Sequence, residues 1–303
     1  MLKGGIAAAV IGVMFVVAGF WAGYSLSRHD DQSDGLGSAA AAGPAAPAAA
    51  TRPGFDALQR AVAQLVSAAG ATGGVTLSEL GGSNPQMWSL NGDRPFTAAS
   101  TYKLPLLMEE AQNVAAGRWH GTDNLCYQDS DWEDGYYTDY QDGVCMSRSQ
   151  LEHRVGLNSD NTAAHMLVRF AGGGAALNKY AQAHGAKQSA FYVPNTTTTS
   201  DLARLWVDEA TEHAGGKPAQ QYLYPILTHT AYEAGIPAGV PTGTIVVHKI
   251  GILDDEVNDA ALVQKGPRGA YVLTICTQGP GGDAGWKVLA NISRAVWQFE
   301  AAR

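Results

Sequence analysis

Ser100 and Lys103 carry the first chemistry legible in this chain. They stand in the run Ala98-Ala99-Ser100-Thr101-Tyr102-Lys103, a Ser-x-x-Lys spacing that puts an ammonium one helical turn from a hydroxyl. A serine hydroxyl becomes a useful nucleophile when a neighbouring base takes its proton. Lysine serves as that base only if burial or nearby positive charge lowers its pKa. A helix start adds to this, because its free backbone N–H groups and the positive end of its dipole favour negative charge beside the serine. The spacing alone is ambiguous, since Ser and Lys three apart on a helix also describe an ordinary surface pair. Something outside the pair must depress the lysine.

The elements that would hold the pair can be followed along the chain. Phe55, Leu58, Val62, Leu65 and Val66 recur at helical spacing, and Gly70 follows as a stop. Residues 75–80 and 87–90 alternate as short strands around Gly81-Gly82-Ser83-Asn84-Pro85, a hairpin pattern. The turn Asn91-Gly92-Asp93 leads to the Ser100 helix, which runs through Leu104, Leu107 and Met108 toward Gly117. Ser147 and Gln150 form a capping box for a helix through Leu151 and Val155, and further helices are expected over 161–170, 175–184, 200–212 and near 219–227. Strands return at 244–250, 259–263 and 270–277, and a last helix presents Trp286, Leu289, Ile292, Val296 and Phe299 on one face. Strands at both ends and helices in the middle predict an α+β fold: one antiparallel sheet flanked by N- and C-terminal helices, plus a helical lobe. There is no internal repeat.

Of the 303 residues, 46% are hydrophobic and 16% charged, enough for a sizeable core. A formal net charge of −8 argues against nucleic acid as a partner, because binding phosphates needs a basic face. A small substrate or a wall polymer fits better. Residues 1–27 read as a membrane anchor or signal segment: the apolar run 6–26 is long enough to cross a bilayer, with Lys3 before it and Arg28-His29-Asp30-Asp31 after it. We read it as an uncleaved single-pass anchor with an extracytoplasmic body; secretion after cleavage is the alternative. Residues 28–53 are a linker rich in Ala, Pro and Gly, and residues 54–303 form the expected domain. Cys126 and Cys145 bracket a polar loop and are expected to pair in an oxidising compartment, leaving Cys276 as a buried thiol. No C-x-x-C or close His/Cys cluster suggests a metal, and no cofactor is expected. The sequence leaves the oligomeric state open.

Two further boxes follow Ser100. Ser159-Asp160-Asn161 stands just before a predicted helix and Lys249-Ile250-Gly251 on a predicted strand. Ser-x-x-Lys, S-D-N and a near K-T-G box, in this order, resemble the signature set of class A β-lactamases and penicillin-binding proteins. The Thr-rich segment at 196–205 and Asn258-Asp259 are also similar to that family, and the resemblance covers the chain from Phe55 to its end. It implies a serine acyl-enzyme hydrolase in which Ser100 is acylated, Lys103 is its base and Ser159 relays a proton to the leaving nitrogen. Asn161 would hold the substrate's amide side chain and support Lys103. Lys249 would bind the substrate carboxylate, and the N–H groups of Ser100 and Ile252, beside Gly251, would form the oxyanion hole. The implied substrate is a β-lactam amide or, alternatively, the D-Ala-D-Ala end of a peptidoglycan stem peptide; a third reading is a catalytically silent wall-binding relative.

Two departures qualify that implication. Class A enzymes place a glutamate between S-D-N and the Thr-rich segment to activate the deacylating water. Here no Asp or Glu occurs between Asp160 and Asp201, and the segment Phe191-Tyr192-Val193-Pro194-Asn195 offers only Asn195, an amide that can position a water without taking its proton. Hydrolysis is therefore expected to be slow. Ile250 also replaces the Thr of K-T-G, which weakens the grip on a carboxylate unless Thr242 or Thr244 compensates.

The acidic, aromatic stretch 129–140 has three readings: a solvated loop tied by the Cys126–Cys145 bond, a substrate-facing wall bearing Trp132 or Tyr136, or a calcium loop with Gly135 one place late. A carboxylate from it could stand in for the absent glutamate. No G-x-S-x-G is present, and His165 and His248 are read as residues with ordinary hydrogen bonds.

Overall fold

A computed structural model describes residues 54–303; the expected apolar segment at 6–26 and the linker ending at residue 53 lie outside the described residues. Among the described residues no helix is long and apolar enough to cross a membrane. Helix α1 (Phe55–Ala68) is followed by strands β1 (Thr72–Glu79), β2 (Met87–Leu90) and β3 (Phe96–Thr97). A 3-10 turn (Ala99–Tyr102) opens directly into α2 (Lys103–Ala115). Short strands β4 (Asn124–Cys126) and β5 (Cys145–Ser147) then bracket a loop. The helical lobe continues with α3 (Arg148–Asn158), α4 (Asn161–Phe170) and α5 (Gly174–Ala183), then β6 (Thr196–Thr197), α6 (Thr199–Ala210) and α7 (Gly216–Leu223). The chain closes with β7 (Val246–Leu253), β8 (Glu256–Gly266), β9 (Gly269–Gln278) and α8 (Gly282–Ala302).

The five-stranded antiparallel sheet has the order β2-β1-β9-β8-β7, so strands from the two ends of the domain meet at β1 and β9. Each of its faces is covered. On one, Leu58 and Val62 of α1 and Leu289 and Ile292 of α8 pack on Val75, Leu77, Leu273 and Ile275. On the other, Val272 and Cys276 of the same strand β9 join the lobe core of Leu107, Leu151, Met166 and Trp206. Adjacent residues of β9 thus serve opposite cores, as strand alternation requires, and burial on both sides explains its nearly continuous apolar run. The expected α+β architecture is the one observed, with α1 and α8 on one face and the lobe on the other.

Local chemistry sets the boundaries that matter for the site. The Ser147–Gln150 capping box forms: the Gln150 N–H donates to Ser147 Oγ at 3.3 Å and the Ser147 N–H to Gln150 Oε1 at 2.9 Å. Strand β7 runs past its expected end at residue 250 to Leu253, and β8 begins at Glu256, earlier than expected. Gly251 and Asn258, which fall outside the expected strands 244–250 and 259–263, stand opposite each other in the ladder. Backbone pairing overrides their weak strand preference.

Cys126 and Cys145 form a disulfide across β4 and β5, where they are opposite residues, and Cys276 is a buried free thiol. The bond closes the loop that carries the acidic stretch. Closing a loop with a sequence separation of 19 removes about 3 kcal/mol of unfolded-chain entropy. The double variant Cys126→Ser/Cys145→Ser is expected to unfold at a lower temperature by that order of free energy; equal melting temperatures for the two proteins would contradict it.

Candidate active site

Strand β3 ends beside the sheet and turns into Ala99–Tyr102, where Ala99 takes a positive φ of 47°. Asn258 on β8 holds this corner: its Nδ2 donates to Thr97 O at 2.8 Å and Ala98 O at 3.3 Å. Ser100 therefore sits on a braced 3-10 turn, one turn before an α-helix begins, rather than inside one. Edge strand β7 runs directly alongside. A Cβ on Gly251 would lie 2.7 Å from Ala98 O and 3.0 Å from Ser100 N, so only glycine lets the strand come this close to the serine.

Lys103 is fully buried, and its Nζ donates to Ser100 Oγ at 2.9 Å, to Ser159 O at 2.7 Å and to Asn161 Oδ1 at 2.5 Å. All three of its donor directions are used. Lys249 is buried too, donating to Ser159 Oγ at 2.8 Å and to Ile250 O at 3.0 Å. Ser159 thus joins the two ammonium groups, one through its carbonyl and one through its hydroxyl. It can do so because it is the left-handed residue (φ 58°) between α3 and α4. Asp160 then caps α4, accepting from the Ala163 N–H at 2.8 Å, Tyr140 Oη at 2.6 Å and the Tyr137 N–H at 2.9 Å.

The electrostatics follow from burial. Desolvation lowers the Lys103 pKa to about 7, with Asp160 and Glu133 pulling the other way. Desolvation also pushes Lys249 well below its ordinary value, and the Lys103 charge adds to this while Asp259 opposes it. A lysine near neutrality beside a hydroxyl 2.9 Å away can take that hydroxyl's proton. That is the depressed lysine which the sequence pattern alone could not guarantee.

The cleft in front of these groups has a volume of about 410 Å³ and is lined by Ser100, Tyr136, Ser159, Asn161, Ile250 and Ile252 among others. A larger groove of about 530 Å³ passes Tyr137, His153 and Arg154 and shares only Asn158 with it. Ser100, Lys103, Ser159, Asn161, Lys249, Gly251 and Ile252 are thus brought to one place. Asn195 lies behind the serine on the segment after α5, donating through Nδ2 to Ala99 O at 3.1 Å, while its Oδ1 is buried without a partner. Thr242 and Thr244 are not at the site. Thr244 closes a turn onto Pro241 O before β7 begins, and neither threonine lines the cleft.

The acidic stretch divides its labour. Asp131 is buried and paired with Arg169 at 2.7 Å, and Asp139 pairs with Arg154 at 2.6 Å. Protein cations take these carboxylates, and among the described residues no three potential ligands converge, so the calcium reading is set aside. Tyr136 lines the cleft, whereas Trp132 is exposed outside that lining, so the wall reading holds for the tyrosine alone. His248 has a larger role than its sequence suggested. Fully buried, it contacts Asp259 Oδ1 at 2.9 Å and Glu233 Oε1 at 3.2 Å. Burial alone would lower its pKa, but these carboxylates raise it to about 9. It braces the strand position next to Lys249. The roles of Asp160, Asn258 and His248 were missed because each depends on partners distant in sequence; the S-D-N box hinted at the first and the family-like Asn258-Asp259 pair at the second.

The profile described as the beta-lactamase enzyme family matches residues 57–299. No curated protein matches the sequence. Among solved structures, PBP-A is 27% identical with a TM-score of 0.75, covering 82% of this chain and 97% of that one. A leucine-to-glutamate mutant of PBP-A, an acyl-enzyme complex with penicillin G, matches at the same identity and score over 80% and 96%. A β-lactamase from Sphaerobacter thermophilus DSM 20745 is 26% identical with a TM-score of 0.73 over 82% and 98%, and an ancestral class A β-lactamase shares the fold at 24% identity, a TM-score of 0.71 and 80% and 99% coverage. With the profile matching most of its length, the chain belongs to the β-lactamase enzyme family.

Proposed function

We propose that this protein is a serine acyl-enzyme hydrolase that opens the β-lactam amide bond. The single observation that carries the reading is the buried Lys103 ammonium on Ser100 Oγ, held at a pKa of about 7. In this reading neutral Lys103 takes the Ser100 proton as Oγ attacks the lactam carbonyl. The N–H groups of Ser100 and Ile252 receive the oxyanion. Ser159, bridged to Lys249, passes a proton to the departing nitrogen, and Lys249 attracts the substrate carboxylate. Asn161, donating through Nδ2 to Asp134 O at 2.7 Å and accepting from Lys103, holds the amide side chain of the substrate.

A second reading, a peptidoglycan D-Ala-D-Ala carboxypeptidase or penicillin-binding protein, is favoured by the absence of a carboxylate between Asp160 and Asp201 and by the likeness to PBP-A, one form of which is an acyl-enzyme with penicillin G. A silent wall-binding relative is the third. We further propose an extracytoplasmic domain tethered through residues 6–26, or secreted after cleavage, a location that suits the disulfide.

Intact mass after mixing with penicillin G separates the three. A transient adduct is expected here, a long-lived adduct marks the second reading and none the third; Ser100→Ala is expected to form no adduct. The acylation rate is expected to climb with pH and level off above about 7, because only neutral Lys103 accepts a proton, and Lys103→Met should acylate about 10²–10⁴-fold more slowly. A rate flat across that range would exclude Lys103 as the base. Ile250→Thr, which returns a hydroxyl to the cleft wall, should raise acylation efficiency about tenfold; no gain would mean that the carboxylate is held elsewhere.

A further inference from the structure

In the acidic stretch Arg169 takes Asp131 and Arg154 takes Asp139, while the Glu133 carboxylate pairs with a histidine next to the site. Glu133 precedes Asp134, whose carbonyl accepts from Asn161 Nδ2, and Asn161 in turn accepts from Lys103. The Glu133 backbone is fixed independently of its side chain: its N–H donates to Thr162 Oγ1 at 3.1 Å, and Thr162 Oγ1 donates to its carbonyl at 2.8 Å. Its carboxylate reaches His165 Nε2 at 2.7 Å. Asn161 and His165 stand four residues apart on α4, so they are neighbours on one helix face. The Glu133–His165 pair therefore lies one helical turn from the side chain that touches the Lys103 ammonium.

The segment that lacks a glutamate closes the other side. The ring of Tyr192 packs edge-on against His165 at 5.2 Å and against Tyr102 at 5.7 Å, and Asn195 from the same segment sits on Ala99 O behind the serine. The His165 side chain is 17% exposed and that of Glu133 51%, so the pair joins buried machinery to solvent. The groups that face Glu133 are His165 from α4, Lys103 from α2, Tyr102 from the 3-10 turn and Tyr192 from the segment before β6.

We propose that Glu133, oriented by His165, is the base that activates the deacylating water, replacing the glutamate that the 191–195 segment lacks. This rests on the acyl-enzyme reading above. Water oxygen attacks the acyl carbon, and its proton passes to the Glu133 carboxylate. The bond from the acyl carbon to Ser100 Oγ breaks, and the proton returns by way of Lys103, which already hydrogen bonds that oxygen; the products are the free acid and the intact serine. Asn195, bonded through Nδ2 to Ala99 O beside the serine, keeps its buried Oδ1 without a partner. The hydrogen bond from His165, helped by the Lys103 charge and opposed by partial burial, holds the Glu133 carboxyl below the usual carboxylate range. It is therefore ionised at neutral pH but a weak base, so deacylation through it is expected to be slow.

The test measures acylation and deacylation separately by time-resolved mass spectrometry with penicillin G on the full chain. Glu133→Gln is expected to accumulate as acyl-enzyme, with deacylation slowed about 10²-fold or more, and Glu133→Asp to recover part of the loss. His165→Asn should move the acid limb of the deacylation profile to higher pH, because the bond that depresses the carboxyl is gone; a purely structural pair would leave that limb in place. Deacylation of Glu133→Gln at the wild-type rate overturns the assignment, as does a wild-type adduct that never clears, and both leave acylation of Ser100 standing. A wild-type protein that forms no adduct overturns the acyl-enzyme reading and this assignment together.

Discussion

Two ammonium groups buried in one hydrogen-bond chain are the constraint on which the rest of this structure depends. Taking each out of water as an ion costs several kcal/mol, and the protein answers with five acceptors: Ser100 Oγ, Ser159 O, Asn161 Oδ1, Ser159 Oγ and Ile250 O. The remaining cost appears as depressed pKa values. Burial is the largest cause in both lysines; the Lys103 charge depresses Lys249 further, while at Lys103 the nearby carboxylates of Asp160 and Glu133 oppose the burial, so dryness comes before charge in setting the site.

Such an arrangement needs rigid supports on every side. Edge strand β7 supplies Lys249 and, through Gly251, a backbone close enough to touch the serine turn. Strand β8 supplies Asn258, which grips the residues before Ser100, and Asp259, which fixes His248 next to Lys249. The helical lobe supplies Lys103, Ser159 and Asn161 from the ends of three helices. The site is therefore the seam between sheet and lobe. Either part alone would leave a buried ammonium without its partners.

The loop held by Cys126 and Cys145 forms the outer wall of the same seam. Two of its acids, Asp131 and Asp139, are spent on Arg169 and Arg154, which anchor it, while the Asp134 carbonyl holds Asn161, Tyr136 lines the cleft and the Glu133 carboxylate turns to His165 of α4. A stretch that reads as uniformly acidic in sequence is sorted by its fold into anchors, a cleft wall and one solvent-accessible carboxylate beside the lysine. Three-dimensional position gives chemically identical side chains these separate uses.

The sequence by itself determined the fold class, because apolar periodicity at both ends and in the middle admits few layered packings, and it named the residues of the three boxes that meet in the cleft. Its errors were local. Thr242 and Thr244 precede Lys249 closely in sequence but do not line the cleft, because linear proximity says nothing about direction along a strand. The roles of Asp160, Asn258 and His248 stayed hidden because each is defined by partners that only packing brings near. Tertiary structure decided what spacing could not: that Lys103 is dry enough to approach neutrality, that Ser159 links both ammonium groups, and that the Glu133 carboxylate pairs with His165 one helical turn from Asn161. The reason is physical. A residue's type fixes which proton it can exchange, but its pKa and its reach are set by desolvation and by neighbours brought together across long stretches of chain.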